Sequence, residues 1–489
     1  MNEIYSIRPL LVVLVSLCAV PLIISTKRPN LRETWTILAG ILKLALVLSM
    51  LPDVLSGRSF GFNILTLFPG LHFRLKVDSM GFIFALVASF LWIVTSLYSI
   101  GYMRGLKEHS QSRYYAFFAI ALSSTMGIAF AANLLTLYIF YEILSLSTFP
   151  LVTHHQDQEA KASGRKYLVY LLGTSIGLVL PSMIYLYTRF NGLDFRFGGF
   201  VPAEGANLSL NIACLFLVLG FAKVAIIPLH SWLPAAMVAP TPVSALLHAV
   251  AVVKAGAFSV VRTILFVFGE GFLEGSWARP TILIFASATV LIGSLVALYQ
   301  RELKRLLAFS TIAQLSYIVL GAAMLTEHGV KGGILQLVMH AFGKITLFFG
   351  AGAIFVATGK KLVDQLEGLG RSMPFTFGAF FVGALSIIGI PPMAGFLAKW
   401  ELLLGSCQSQ YMGIMGVLLA SSLLNVGYFI PLVYRAFFPS FPVEGKIREA
   451  PLFCLLPMLA TALFTILLFF FPYPFYQLIS ALWSQLLGG

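Results

Sequence analysis

Two stretches decide how this chain is read: GFAKVAIIPLHSWLP (Gly220–Pro234) and SIIGIPPMAGFLAKWE (Ser386–Glu401). Each is an apolar run interrupted by proline, with a lysine close by. Pro228 follows Lys223, and Pro391 and Pro392 precede Lys399. Proline removes a backbone donor and clashes with the preceding turn, so both runs read as broken helices. Irregular backbone at membrane depth survives only where protein or a water cavity satisfies it. A charged side chain near the bilayer centre costs about 2.5–3.5 kcal/mol on insertion scales. Broken helices at matching places in two halves point to an inverted-repeat transporter with its ion path at the breaks.

The composition around these stretches fits. Of 489 residues, 59% are hydrophobic and only 10% charged, against about 25% charged in a soluble domain. So few charges cannot coat a globule of this size in water. A soluble enzyme, a nucleic-acid binder and a disordered chain are excluded. Apolar runs recur from end to end, so the fold class is an all-α polytopic membrane protein with about fourteen spans. The run Pro9–Ser25 has Glu3 before it and no small-residue cleavage site before Lys27, so it reads as a retained first span. Asn133 and the small residues before it are the only break between the fourth and fifth spans.

The net charge of +13 sits mostly in short loops. Odd-numbered loops, from Lys27 and Arg28 in the first to Lys446 and Arg448 in the last, carry more than twice the Lys and Arg of the even ones, Arg262 being counted among the even. The positive-inside rule then places the odd loops in the cytoplasm and both termini outside the plasma (inner) membrane. Leu51–Ser79 has turn glycines and the alternating segment FRLKVD (Phe73–Asp78), which reads as a small outside hairpin. Gly192–Asn207 is a second outside loop. The domains are expected at 1–113 (first three helices and the hairpin), 114–262 (first inverted repeat), 280–433 (second repeat) and 451–489 (last helix), with the chain ending shortly after its last span.

Inside the spans the ionisable residues are few. They are Glu142, Glu401, Lys43, Lys223, Lys254, Lys344 and Lys399, with His230, His248 and His340 in spans or at a break. Lys43 is the least informative of these, because it lies near a span edge, where its head could snorkel to the interface. His248 and Lys254 are six residues apart and face different neighbours, whereas His340 and Lys344 share one face, about 6 Å apart along the axis. Histidine titrates near neutral pH, so both pairs suit a proton relay. His154, His155, Asp157 and Glu159 could suggest a metal site, but a solvated loop is the simpler reading. The cysteines Cys18, Cys214, Cys407 and Cys454 form no CxxC pair and read as small core residues.

At these residues the sequence resembles a family: the antiporter-like, proton-conducting membrane subunits shared by respiratory complex I, Mrp-type cation/proton antiporters and membrane-bound hydrogenases. The resemblance is carried by YEILSLSTFPLV (Tyr141–Val152), PLHSWLPAAMVAPTPVSALLHAVAVVKAGAF (Pro228–Phe258), ELKRLLAFSTIAQLSYI (Glu302–Ile318), HAFGKITLF (His340–Phe348) and GIPPMAGFLAKW (Gly389–Trp400), in family order. It implies fourteen helices, with spans 4–8 and 9–13 as inverted repeats. It implies that Glu142 pairs with a proton-accepting Lys223, that Lys254 and His248 continue the path, that His340 and Lys344 serve the second half, and that Lys399 ends the path on the outside. Ala235–Met237 and Glu302 depart from the family pattern, so the polar entry loop is expected to differ. Lys399 looks closer to the D-type subunits of Mrp antiporters and their hydrogenase-associated relatives than to the complex I type bearing glutamate there. The lack of a C-terminal extension argues against the complex I subunit with a long lateral helix.

No GxGxxG, P-loop, cysteine cluster or HExxH is present, so no cofactor or metal is expected and no redox chemistry of the chain's own. The energy would come from partner subunits or a counter-ion gradient. The expected function is proton translocation, without a counter-ion or exchanged for sodium, by one of several integral membrane subunits of a complex in the bilayer. A stand-alone secondary solute/H⁺ carrier and a structural anchor are the rival readings.

Overall fold

The structure, a computed structural model, describes residues 3–202, 207–440 and 447–487. Lys446, residues 203–206 of the second outside loop and the end of the last expected domain lie outside the described residues. The chain opens with a short strand β1 (Glu3–Tyr5), then helices α1 (Arg8–Ser25) and α2 (Pro29–Leu48). A hairpin follows, β2 (Ser59–Phe68) and β3 (Leu71–Val77), with β1 pairing parallel to β2 in a three-stranded sheet. The rest is helical: α3 (Ser79–Gly105), α4 (Gln111–Ala129), α5 (Leu134–Val152), α6 (Gln158–Phe190), α7 (Leu208–Gly220), α8 (Thr241–Glu274), α9 (Ala278–Leu298), α10 (Leu303–Ala323) and α11 (Glu327–Thr358). Then come α12 (Pro374–Ile388), α13 (Gly395–Gln408), α14 (Gly413–Phe437), α15 (Leu452–Phe470) and α16 (Tyr473–Leu487).

Several of these helices begin where a polar side chain stops the run before it. Asp78, Asn133, Asp157, Asn207 and Thr326 each accept a hydrogen bond from the backbone N–H three residues on, satisfying a donor that the first turn leaves free. Asn133 also donates to the His72 carbonyl at 2.6 Å, which fixes the turn between α4 and α5 against the hairpin.

Among the described residues, eleven helices are long and apolar enough to cross a membrane, and α7 and α12 are shorter apolar helices. Their burial separates centre from rim. The apolar window of α8 is wholly buried and that of α10 nearly so, whereas α1 buries a third of its window. Helices α3, α8, α10 and α11 therefore form the middle, and α1, α2 and α14 present Leu and Ile side chains outward. The loops sort by parity. Residues from the third, fifth, seventh, ninth and eleventh loops, among them Glu108, Glu159, Pro234, Lys304 and Lys360, line one cavity of about 490 Å³. At the opposite end, the hairpin, the 192–202 loop and the end of α8 meet, with Arg196 N–H donating to the Phe266 carbonyl.

Three placements differ from the sequence reading. Arg262 is not in a loop. Helix α8 runs on to Glu274, and Arg262 is buried within it as a bidentate partner of Asp78, at 2.5 and 2.6 Å. Taking Arg262 out of the even-loop tally sharpens the charge bias. Lys43 does not snorkel: it is fully buried, donates to Ser16 Oγ at 2.7 Å and lies over the Trp92 ring. The last span ends at Phe470, where Phe471 and Pro472 interrupt it, and α16 then folds back onto α3 and α11.

Candidate proton-transfer site

The first break starts where α7 stops at Gly220. A tight turn over Ala222–Val224 follows, and Ala225 takes a left-handed backbone at φ 59°. The turn frees backbone groups, and side chains meet them. Trp232 Nε1 donates to the Ala222 carbonyl at 3.0 Å, and Ile227 N–H donates to Thr289 Oγ1 at 3.1 Å. Lys223 is fully buried. Its ammonium donates to the Tyr141 carbonyl and to Ser145 Oγ, both at 2.7 Å, and sits over the Tyr141 ring. The Tyr141 hydroxyl accepts from the Lys223 backbone N–H.

The direct acceptors of this ammonium are therefore on the Tyr141–Ser145 face of α5. Glu142 does not hold the Lys223 ammonium in this structure, and neither of its carboxylate oxygens has a hydrogen-bond partner. The reason is helical geometry. Tyr141 and Ser145 are one turn apart and face α7, whereas Glu142 is turned about 100° round α5 from Tyr141. Ser145 stands one turn beyond Tyr141 in the sequence, a polar i, i+4 spacing that could have marked this face.

At the centre, α8 loosens into π-helical turns at Leu246–Val250 and Thr263–Phe268, and His248 lies in the first. Such bulges cluster at functional sites. His248 is fully buried against Phe348, with both ring nitrogens unpartnered. Lys254 Nζ meets His340 Nδ1 at 2.9 Å. The sequence reading gave these two residues to different halves; the structure joins them. Two residues beyond Lys254, Gly256 lies against the first break. A Cβ there would come within 2.4 Å of the Lys223 carbonyl carbon, so only glycine lets α8 pack so closely on that turn.

In the second half, Lys344 donates to Ser310 Oγ at 2.8 Å, and the Tyr428 hydroxyl donates to the same oxygen at 3.0 Å. Gln336 on α11 donates to Gln314 on α10 at 2.7 Å, a buried pair that apolar patterning hides. At the second break α12 ends on Ile388, and Gly389 turns the chain at φ 89°. Lys399, from α13, reaches back to donate to the Ile388 carbonyl at 2.9 Å and to Ser422 Oγ at 3.0 Å. A side chain at 389 would strike the Lys399 stem at 2.7 Å. Near it, Glu401 pairs with His328 at 2.7 Å and accepts from the Tyr476 hydroxyl at 3.0 Å.

The chain thus buries Lys223, Lys254, Lys344 and Lys399, each ammonium held by carbonyl, hydroxyl or imidazole groups. Such a set can take up and release protons, and it has the donors and acceptors to do so between helices.

Comparison with known proteins agrees with this architecture. Residues 131–425 match the family described as NADH:quinone oxidoreductase/Mrp antiporter, transmembrane. NADH-quinone oxidoreductase subunit N of Desulforudis audaxviator is 33% identical over 385 residues, covering 77% of this chain and 75% of that protein. The A-type subunit of the Na(+)/H(+) antiporter of Alkalihalophilus pseudofirmus is 31% identical across 82% of this chain, which spans only about half (53%) of that longer relative. NADH-quinone oxidoreductase subunit L of Mycobacterium tuberculosis is 32% identical across 73% of this chain and 55% of its own length. In fold, a chain of the archaeal membrane-bound sulfane sulfur reductase superposes with a TM-score of 0.87 at 22% identity, covering 98% of both chains. A chain of the Mrp complex from Dietzia sp. superposes equally well, with a TM-score of 0.87 at 21% identity, covering 98% of this chain and 97% of that one. These relatives are subunits of multi-subunit membrane complexes. From its buried lysines, its broken helices and these matches, the chain belongs to the NADH:quinone oxidoreductase/Mrp antiporter family of multi-pass membrane proteins.

Proposed function

We propose that this chain is the proton-translocating subunit of a multi-subunit membrane complex of Mrp-antiporter or related respiratory type. Protons pass between Lys223, Lys254 with His248, His340 with Lys344, and Lys399. The observation that carries the reading is the Lys254–His340 hydrogen bond of 2.9 Å, because it joins two ionisable groups from the two halves in a fully buried place. Burying an unpaired charge costs several kcal/mol. A lysine or histidine sheds that cost by handing its proton on, so the interior favours transfer over storage. Glu142, one residue from the Tyr141 carbonyl that holds Lys223, is placed to change that balance when it moves or is neutralised. Pro228, Pro391 and Pro392 keep the two breaks open to this exchange. In this reading the chain crosses the plasma membrane fourteen times, with inverted repeats at 114–262 and 280–433, odd loops in the cytoplasm and both termini outside. The energy comes from partner subunits or from a sodium gradient.

The decisive variant is Lys223→Ala, assayed in everted vesicles with a pH-sensitive dye. Proton movement should fall by about a hundredfold or more, the scale of losing a proton-transfer group, while the protein still assembles with its partners. Flux at the wild-type rate in an assembled Lys223→Ala protein would overturn the assignment.

A further inference from the structure

In the loop that sequence reading leaves to solvent, Asp157 and Glu159 are exposed, but one residue is not. His154, just after α5, is fully buried, and neither of its ring nitrogens has a hydrogen-bond partner. Burying an imidazole with both nitrogens unmatched is costly unless a ligand satisfies them. The loop between α3 and α4 brings Glu108 and His109 against it. Glu108 Oε2 lies 3.7 Å from His154 Nε2, 3.7 Å from His155 Nδ1 and 3.9 Å from His109 Nδ1. The ligand atoms of Glu108, His109 and His154 all fall within 4.8 Å of one another.

The separations from Glu108 are too long for hydrogen bonds and a little wider than those of ligands sharing one ion, so small side-chain rotations would bring the set onto one ion. Around zinc with bonds of about 2.0–2.1 Å, tetrahedral ligands stand roughly 3.4 Å apart. The two loops are also built to hold this arrangement. Lys107, Ser110 and Gln156 take left-handed backbone at φ 53°, 50° and 60°, uncommon for residues with side chains. Gln111 Nε2 donates to the Glu108 carbonyl at 3.1 Å, and Arg113 Nη2 donates to the His154 carbonyl at 2.9 Å, clipping one loop to the other. Glu108 and His155 also line the cavity of about 490 Å³, which supplies a way in for an ion.

We propose that Glu108, His109 and His154 form a binding site for a divalent transition-metal ion of the zinc type, with His155, 3.7 Å from Glu108, turning in as the fourth ligand. Three imidazoles and one carboxylate suit zinc in preference to magnesium or calcium, which favour all-oxygen shells. The ion joins the α3–α4 turn to the end of α5, the helix that carries Glu142. The site lies apart from the buried lysines and does not depend on the proton-transfer reading.

The test uses the full-length protein purified with a tag free of histidine, stripped with chelator and dialysed against micromolar zinc. Elemental analysis should return one zinc per chain. His109 and His155 are partly exposed, so the double variant His109→Ala/His155→Ala should fold and should bind zinc at least about tenfold more weakly. Cobalt in place of zinc should give visible absorption bands in the wild type that the double variant lacks. Zinc content equal in the two proteins, or no zinc in either, would overturn the site.

Discussion

At the first break Lys223 reaches across to α5, where the Tyr141 carbonyl and Ser145 hold its ammonium. At the second break Lys399 turns back on the helix before it and holds the Ile388 carbonyl, the last of α12. One lysine links two helices; the other caps the end of a broken one, where the helix dipole favours a cation. The same sequence device, proline beside lysine, therefore has two mechanical meanings. The first lysine is held by a neighbouring helix, α5. The second keeps its own break in shape and lies at the edge of the interior, 9% exposed where Lys223 is 0%.

The first half is also tied to the helices before it. Helix α8, packed on the Lys223 turn through Gly256, is tied to the start of α3 by the Arg262–Asp78 pair. Breaking that pair should have the largest effect of any change considered. Arg262→Met leaves the Asp78 carboxylate buried without its partner, at a cost of about 3–5 kcal/mol. Thermal unfolding of the purified protein should register it, and Asp78→Asn/Arg262→Met should recover most of the loss, since asparagine still caps α3. A melting point unchanged in Arg262→Met would mean that the pair does not hold α8 to α3 energetically.

Next in size is a separation of roles at the second break. Lys399→Ala should lower both assembly and flux, because it removes the cap on Ile388 along with the titrating group. Lys399→Arg keeps a donor there but cannot give up its proton. It should restore assembly and leave flux down by about a hundredfold. Flux restored together with assembly would reduce Lys399 to a structural cap and make the two breaks unlike in function as well as in mechanics.

The halves meet at Lys254 and His340, so a variant there should not favour either. His340→Gln preserves a hydrogen-bonding group but removes the titrating ring. Flux should fall by about tenfold or more with little change in stability. If flux persists, the two halves work without exchanging protons at this point.

Much of this was legible in the chain. Pro228 and the Pro391–Pro392 pair announced the breaks, because proline's effect on a helix is local. The lysines in apolar runs announced themselves by their cost. The hairpin followed from alternation in Phe73–Asp78. What stayed hidden was set by tertiary contact. Arg262 looked like a span end because a hydropathy window stops at an arginine, and its partner Asp78 is 184 residues away. Lys43 looked free to snorkel because nothing local shows that Ser16 and Trp92 cover it. The resemblance named Glu142 beside Lys223, but the acceptors that hold the ammonium, the Tyr141 carbonyl and Ser145 Oγ, depend on the rotation of α5 and were not named by it. His109 and His154 lie too far apart in sequence for spacing to connect them.

The smallest expected effects test the comparison most finely. Ser145→Ala and Ser422→Ala each delete one hydroxyl acceptor from a buried ammonium, at Lys223 and Lys399 respectively. Each loss is worth about 1 kcal/mol, or a few-fold. At the first break the remaining acceptor is a carbonyl on α5, so the lysine stays tied to its neighbour by a single contact and transfer should become faster or slower by that few-fold factor. At the second break the remaining acceptor is the Ile388 carbonyl that Lys399 caps, so the geometry of the break persists and flux should change less. Dye-monitored flux in matched vesicles should resolve a difference of about threefold, the size set by one hydrogen bond. Equal sensitivity of the two serines would show that both lysines respond alike to their surroundings, and the distinction between a lysine that links helices and one that caps a helix would then have no bearing on transfer.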